Sequence, residues 1–193
     1  MSKEIRVYHS PRSPYSRLGL HVLKNAGLSD EVKIKVIAFT GPPEGTPFAD
    51  PMANVPKLAY LSQDAPRMTM RMGLPIRRPD PFDVDLVPSA RAIAAADAAR
   101  HGLDYGIAVA DARWGKGLNI AELDVLAACA DEIGWSGDAV HAAQTDDAVT
   151  ALLAENRQLI EEDQAFGVPF AVFDGQKFWG HDRFDLLVEA VNG

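Results

Sequence analysis

Cysteine is almost absent from this chain of 193 residues, which contains a single one, Cys129. One cysteine cannot form an internal disulfide, and it cannot supply the thiolates of a cysteine-based zinc or iron–sulfur site. It also excludes a dithiol oxidoreductase that carries its own cysteine pair. Cys129 lies in a segment rich in alanine and leucine, where we expect a small buried hydrophobic residue.

Positive charge is also scarce, because 27 acidic residues outnumber 19 lysines and arginines and give a net charge of −8. Nucleic acids and anionic membranes are bound by basic surfaces, so we expect neither as a partner. The first residues enter a strand-like run without an apolar stretch, which predicts neither a secretion signal nor a membrane span. The cytoplasm is the expected compartment. The five histidines are dispersed, and we expect no metal site.

The N-terminal segment has the pattern of a βαβ unit. Ile5 to His9 is a β-branched apolar run that predicts a strand. Pro14 to Asn25 predicts a helix, with proline in its first turn, one apolar side and Gly27 as a stop signal. Val32 to Phe39 alternates at first with a period of two, which predicts a second strand parallel to the first. The unit has the expected size of roughly 30 residues.

The middle of the chain changes from a proline-rich loop to helices. Gly41 to Pro56 contains five prolines and two glycines, which predicts a loop, and a loop of this length is more often functional than accidental. After Lys57 the composition becomes alanine-rich, with Pro75 to Pro88 as an irregular link. The clearest predicted helices are Ala90 to Arg100, Asp104 to Trp114 and Ile120 to Ile133.

The C-terminal segment returns to strands. Thr145 to Phe166 predicts one long helix, capped by Thr145 and followed by two aspartates that suit its positive end. Asp174-Gly175 is a hairpin signal between two predicted strands, and a last helix follows. The elements are Phe170 to Phe173, Lys177 to Trp179 and Asp182 to Val191. The whole order predicts an α/β thioredoxin-like fold with an all-helical insertion domain, divided as 1–56, 57–144 and 145–193.

Ser13 stands at the start of the first predicted helix, where redox members of this fold carry a Cys-x-x-Cys pair. The segment Ser13-Pro14-Tyr15-Ser16 has no thiol, so a thiol must come from outside, and glutathione is the obvious source. A hydroxyl at a helix N-terminus can donate a hydrogen bond to a thiolate, and the partial positive charge there favours ionisation. The alternative is that Ser13 only caps the helix. His9 remains a possible activating base.

Pro169 lies between the long helix and the strand that follows it. A cis proline there would let the backbone N–H and C=O of Val168 pair with an extended peptide, as a strand edge does. Glutathione is such a peptide. An ordinary trans proline in a turn is the commoner case and remains the alternative.

Three segments together resemble the 2-hydroxychromene-2-carboxylate isomerases and kappa-class glutathione transferases, in the disulfide-oxidoreductase-like branch of the thioredoxin superfamily. They are SPYSRLG from Ser13, FGVP from Phe166 and FWGHDR from Phe178. The resemblance spans essentially the whole chain, including the helical insertion and its pattern of Lys57, Tyr60, Asp64 and Arg67. Ser10 would allow a register shifted by three residues, but Ser13 also aligns Tyr15, Ser16, Leu18 and Gly19.

The resemblance implies that glutathione is the cofactor. Ser13 would face its sulfur, and Val168, next to Pro169, would pair with its cysteinyl backbone. His181 and Asp182 would hold the γ-glutamyl end at the start of the last helix. Lys57 would offer a cation to the glycyl carboxylate, with Asn54 nearby. The alternatives are a solvated lysine at 57 and a helix cap at 182.

The second-substrate side departs from the family pattern. Arg17 stands where an aromatic residue is usual, Phe170 where threonine is common, Arg12 where a small residue is preferred, and Ser10 where an aspartate is usual. A substrate carboxylate would need a cation, for which arginines and Lys57 are candidates. The predicted substrate-binding residues are Arg12, Tyr15, Arg17 and Arg67.

The first functional hypothesis is a glutathione-dependent isomerase that acts on an unsaturated keto acid by reversible thiolate addition. The second is a kappa-like glutathione transferase or peroxidase that uses the same thiolate. The third is a non-catalytic thioredoxin-fold binding module, which predicts no glutathione affinity. The resemblance also implies a homodimer.

Overall fold

One four-stranded sheet joins the two ends of the chain. The computed structural model describes residues 3–47 and 53–193. The sheet has the order β2-β1-β3-β4, with β1 and β2 parallel and β3 antiparallel to both of its neighbours. The strands are β1 (Lys3–His9), β2 (Val32–Ala38), β3 (Phe170–Phe173) and β4 (Gln176–Trp179). The predicted thioredoxin-like fold is confirmed.

Helices account for most of the remaining described chain. Five of them follow β2 before the long helix that leads back to the sheet, as the expected helical insertion requires. The helices are α1 (Pro14–Asn25), α2 (Val55–Arg71), α3 (Val87–Ala98), α4 (Gly102–Trp114), α5 (Leu123–Glu132), α6 (Gly137–Ala143), α7 (Asp147–Asp163) and α8 (Phe184–Asn192). Within the described ranges, no helix is both long enough and apolar enough to cross a membrane. The domain boundaries stay a prediction.

The sheet is covered on both faces because β1 alternates its side chains between them. Ile5 and Val7 pack with α1 and α8, where Phe184 is fully buried. Tyr8 points to the other face and packs against Ile160 of α7. A separate cluster holds the inserted helices on β2, and it buries Cys129 at 3% exposure, as the sequence predicted.

Several predicted boundaries are wrong by a few residues. Asp146, not Thr145, caps α7, because its carboxylate accepts a hydrogen bond from Ala148 N at 2.8 Å. The helix ends at Asp163, before Gln164, whose φ of 53° lies in the left-handed region. The predicted loop loses its last two residues to α2, which begins at Val55. Its residues 48–52 lie outside the described ranges.

The start of the last helix also differs from the prediction. His181–Arg183 forms a separate 3-10 turn, and α8 begins only at Phe184. The helix α6 was not predicted, because its seven residues are too few to show a helical period.

Candidate functional site

Ser13 is the N-cap of α1. Its backbone is extended, and its Oγ accepts a hydrogen bond from Ser16 N at 3.2 Å. The Tyr15 N–H, in the same first turn, has no hydrogen-bond partner among the described residues. Ser13 itself is half-buried. A partly open helix start therefore presents a hydroxyl, a free backbone N–H and the positive end of the helix dipole.

Ser16 occupies the second position of a Cys-x-x-Cys spacing and is buried. Its Oγ lies 2.8 Å from His9 Nδ1 and accepts a hydrogen bond from Ser10 N at 3.3 Å. Burial lowers the pKa of His9 to about 3, so the ring is neutral at neutral pH. His9 thus holds the loop that carries Ser13 through Ser16. Its place does not suit the role of activating base that the sequence left open.

The Val168–Pro169 peptide bond is cis, the form that the sequence left open. Pro169 packs on α1 at Gly19, where an added Cβ would lie 3.2 Å from Pro169 Cβ. Its carbonyl accepts a hydrogen bond from Gly180 N at 3.0 Å. The hydrogen bonds of the described residues include none to the backbone N–H or C=O of Val168. The loop therefore lies against the helix that Ser13 begins, with free peptide groups beside it.

Tyr15 of α1 contacts both the 3-10 turn and α2. We call this contact the Tyr15 bridge (His181, Tyr15 and Asp64). The rings of Tyr15 and His181 stack with centroids 5.3 Å apart. The Tyr15 hydroxyl donates to Asp64 Oδ2 at 2.8 Å, and Arg67 Nη1 donates to Asp64 Oδ1 at 3.0 Å. Burial, with help from Asp64, raises the pKa of Tyr15, and burial lowers the pKa of His181. His181 Nε2 is buried without a hydrogen-bond partner in the described structure.

Asp64 is a site residue that the sequence analysis did not select. It appeared only in the helical pattern from Lys57 to Arg67, and the spacing of that pattern was its one signal. Lys57 lies seven residues before Asp64, or two helical turns, and so shares a face of α2 with it at a rise of roughly 10 Å. Lys57 is exposed at the start of that face.

The two remaining glutathione candidates have local partners. Asn54 is the N-cap of α2, and its Oδ1 accepts from Lys57 N at 3.0 Å. Asp182 is exposed and accepts from Arg183 Nη1 at 2.8 Å. Both keep exposed surface for a ligand, and Asp182 is part of the 3-10 turn rather than of the last helix as predicted.

The predicted substrate-binding arginines lie in different environments. Arg17 is fully buried, where Nε donates to Asp111 Oδ1 at 2.6 Å and Nη1 donates to the Pro75 carbonyl at 2.8 Å. Arg17 was expected to face the substrate. It lies instead in the contact between α1 and α4, which its charge stabilises. Arg12 is exposed, and its Nη2 lies 4.0 Å from Asp83 Oδ1.

The structure thus brings most of the predicted residues together beyond the end of β1 and the start of β3, the two central strands. Ser13, Tyr15, Val168, Pro169 and His181 are linked by adjacency or direct contact, and Arg67 joins them through Asp64. The arrangement offers hydrogen-bond donors and the positive end of α1 to an anion, and free peptide groups to an extended chain. Among the described residues, no cluster of His, Cys, Asp and Glu is suited to a metal ion.

Comparison with known proteins gives a family match and named relatives. The model of the DSBA-like thioredoxin domain matches residues 4–192. The chain is 28% identical over 136 residues to a 2-hydroxychromene-2-carboxylate isomerase from Pseudomonas putida, covering 70% of this chain and 66% of that protein. It is 27% identical over 137 residues to the protein of the same name from Sphingobium xenophagum, covering 69% and 67%. The matches span about two thirds of these relatives.

A solved structure of a 2-hydroxychromene-2-carboxylate isomerase superposes on 98% of this chain and 94% of its own, with a TM-score of 0.82. The sequence identity in that superposition is 22%, so the likeness concerns the fold.

Proposed function

The chain belongs to the DSBA-like thioredoxin domain family, and from this premise we propose that it is a glutathione-dependent isomerase. Its substrate would be an unsaturated keto acid of the 2-hydroxychromene-2-carboxylate type. The names of the curated relatives support an isomerase. The observation that carries the proposal is Ser13, a hydroxyl on an open helix start in a chain whose single cysteine is buried elsewhere. By the resemblance, Ser13 stands where redox members of the fold carry their first cysteine.

Glutathione would lie along the proline loop. Its cysteinyl backbone would pair with the free N–H and C=O of Val168, and its sulfur would then reach Ser13. The γ-glutamyl end would meet His181 and Asp182, whose position next to Pro169 is set by the bond from Gly180 N to the Pro169 carbonyl. The glycyl carboxylate would meet Lys57 and the start of α2 near Asn54.

The chemistry needs little from the protein beyond a stabilised thiolate. Ser13 and the first turn of α1 favour the ionised sulfur, which adds to a conjugated carbon of the substrate. The new C–S bond moves an electron pair onto the keto oxygen, and the former double bond becomes a rotatable single bond. When the enolate collapses, the C–S bond breaks, the double bond returns in the other geometry, and the thiolate leaves unchanged.

The first test is glutathione binding by calorimetry together with ultraviolet titration of the bound thiol. The wild-type protein should bind glutathione and lower the pKa of its thiol. Ser13→Gly should raise that thiol pKa, because it removes the hydroxyl, while helix capping changes by only a few tenths of a kcal/mol. Asp146→Ala, which removes the cap of α7 instead, should cost about 1 kcal/mol of stability and leave the thiol pKa unchanged.

Two outcomes would contradict the proposal. No binding at millimolar glutathione would favour the binding module predicted as the third hypothesis. Binding with an equal thiol pKa in wild type and Ser13→Gly would leave Ser13 a helix cap only. Product analysis then separates the isomerase from the kappa-like transferase, because only the isomerase returns free glutathione after each turnover.

A further inference from the structure

Arg113, in the last turn of α4, is a buried cation that forms no salt bridge with a carboxylate of residues 3–47 or 53–193. The residue is 2% exposed, and its Nη2 donates to the Phe82 carbonyl at 2.5 Å. Its Nε and Nη1 are buried and have no hydrogen-bond partner in the described structure. A buried guanidinium with open donors is costly to keep, because it has lost water without gaining an anion. Nothing in the proposed mechanism above uses this residue.

Arg12 adds a second positive charge at the same place. Burial, and then the neighbouring charge of Arg12, lower the pKa of Arg113, and the Asp83 carboxylate opposes them. Asp83 approaches Arg12 only to 4.0 Å, and the Asp83 side chain is 90% exposed. The carbonyl end of α4 contributes roughly half a negative charge. Two guanidinium groups thus face one solvated carboxylate and a helix terminus, so positive charge is in excess at this place.

This cluster adjoins the loop that carries Ser13. Trp114 Nε1 donates to the Pro11 carbonyl at 2.9 Å, which ties the end of α4 to the residues just before Ser13. The Arg113 guanidinium lies 5.5 Å from the centre of the Trp114 ring. It is on the α4 side of the helix start, whereas Tyr15 lies on the α2 side. The arginines thus lie on a different side of the helix start from Tyr15, where glutathione is proposed.

We propose that Arg113 and Arg12 form the subsite for the carboxylate of the second substrate. The inference rests on the proposed function for the identity of that substrate, an unsaturated keto acid. The substrate carboxylate takes the place of Asp83 beside Arg12 and accepts a hydrogen bond from an open donor of Arg113. Asp83 belongs to the irregular segment between α2 and α3, and its displacement gives the carboxylate access to the buried guanidinium. Arg113 thereby selects acids over neutral analogues.

The test compares a carboxylate with its uncharged counterpart. Calorimetry with trans-cinnamate and with cinnamamide should show at least roughly tenfold tighter binding of the acid, the size of one charge-assisted hydrogen bond. Arg12→Gln should weaken cinnamate binding about 5- to 10-fold and leave the amide unchanged. Asp83→Asn should strengthen cinnamate binding, because it removes the competing carboxylate. Both substituted side chains are exposed, so neither substitution should impair folding.

Arg78→Gln is the matched control. Arg78 is an exposed arginine 5.5 Å from the Phe82 ring, in the same segment but outside the proposed subsite. It should change cinnamate affinity little at 0.15 M salt, where exposed charges are screened over about 8 Å. Equal losses in Arg78→Gln and Arg12→Gln would show a general positive field and overturn the subsite. Absent or equal binding of acid and amide would overturn it as well.

The same experiment separates this inference from the proposed function. If glutathione does not bind but cinnamate binds with the expected variant pattern, the carboxylate subsite stands and the isomerase does not. If glutathione binds with a lowered thiol pKa but acid and amide bind alike, the isomerase stands and the subsite fails.

Discussion

The Ser13 hydroxyl is compatible with both roles that the sequence left open. A hydroxyl has one donor and two acceptor positions, and the bond from Ser16 N uses only an acceptor position. Its proton remains available to a thiolate in front of the helix. Capping and thiolate binding are therefore compatible in one residue, and the cap fixes the oxygen where the donor is needed.

Tyr15→Phe tests the Tyr15 bridge by removing one oxygen atom, the Tyr15 hydroxyl. The change keeps the stacking on His181 and removes the hydrogen bond to Asp64, so we expect a loss of about 1–2 kcal/mol in the free energy of unfolding. Urea titration measures it. Tyr60→Phe is the control: the Tyr60 hydroxyl also interacts with Asp64, but from an exposed position, so little change in stability is expected. Equal stability of Tyr15→Phe and wild type would contradict a structural bond here.

His9 predicts an acid-sensitive fold. Its pKa is near 3 in the folded state against 6.5 for the free side chain, so only the unfolded chain binds the proton between these values. Stability should fall as pH falls below about 6.5, at up to about 1.4 kcal/mol per pH unit, and His181 acts in the same direction. His9→Asn should flatten the dependence between pH 6.5 and 4.5. His141→Asn, an exposed histidine, should keep the wild-type slope, and parallel slopes for all three proteins would refute the assignment.

Residue roles were the hardest part to predict from sequence. Ser13 and Pro169 follow from local patterns, since both flank an element boundary. Asp64 and Arg113 do not, because their contacts arise where separate helices meet α1 and its loop. Arg17 shows the converse: a cation close to Ser13 in sequence is directed to α4, since residues 15 and 17 point to different sides of a helix.

At the scale of elements, the contact between α1 and the proline loop depends on Gly19. An added Cβ would lie 2.9 Å from the Phe184 ring and 3.2 Å from Pro169 Cβ. Gly19→Ala gains about 1 kcal/mol of helix propensity, but overpacking costs about 1–3 kcal/mol, so we expect a net loss of stability. It should also weaken glutathione binding, because the proline loop must move away from Ser13.

A double-mutant cycle with Phe184→Leu checks this explanation. Removing the ring atoms gives the new methyl group room, so the two changes together should cost less than their sum. Additive costs, measured by urea unfolding, would mean that the contact at Gly19 does not limit the position of the loop.

Two of the ion pairs between α1 and α4 should differ in strength. Asp111→Asn leaves the buried Arg17 without its counter-ion and also alters the contact of Asp111 with His21 Nε2, which together should cost about 3 kcal/mol or more. Asp104→Asn removes the pair with Lys24, whose two side chains are half-exposed, and should cost less than about 1 kcal/mol. Thermal and urea unfolding give both values. Similar losses in the two variants would contradict a special role for the buried pair.

Element prediction succeeded where a pattern was long or sharply bounded. The predicted limits of α1 and β3 agree with the structure, because proline opens the helix and a turn follows the strand. Thr145 was wrong as a cap because two capping residues are adjacent, and only the folded chain shows which carboxylate or hydroxyl reaches the backbone N–H. Only the first two residues of α2 were missed, because Val55 and Pro56 were assigned to the proline-rich loop.

At the scale of the whole molecule, the homodimer stays a prediction. α2 has seventeen residues, of which only Ala65 and Thr69 are buried, while Val55, Tyr60 and Met70 are 74%, 58% and 62% exposed. Such a face suits a second copy of the chain. Light scattering should give a molar mass of about twice 20.9 kDa. Met70→Asp should lower this mass. Leu186→Asp, an exposed leucine on α8, is the control. A monomer mass at all concentrations would contradict the prediction.

The overall fold was predictable because its evidence is spread over the chain. A βαβ pattern at one end, a ββα pattern at the other and alanine-rich helices between them admit few arrangements. What the sequence could not give is the approach of α2 and α4 to the start of α1, since that geometry depends on side-chain packing between distant segments. The two helices α2 and α4 form the two sides of the candidate site.

The burial of Cys129 bears on how the protein survives oxidation. Burial raises the pKa of this thiol to about 11, so the reactive thiolate is scarce, and at 3% exposure peroxide has little access to it. Mass spectrometry after peroxide treatment of the folded chain should find Cys129 unmodified. If the proposed function holds, oxidation of thiols would lower activity by consuming free glutathione and not by modifying a cysteine of the protein. Activity would then return with the reduced pool, without repair or resynthesis of the protein.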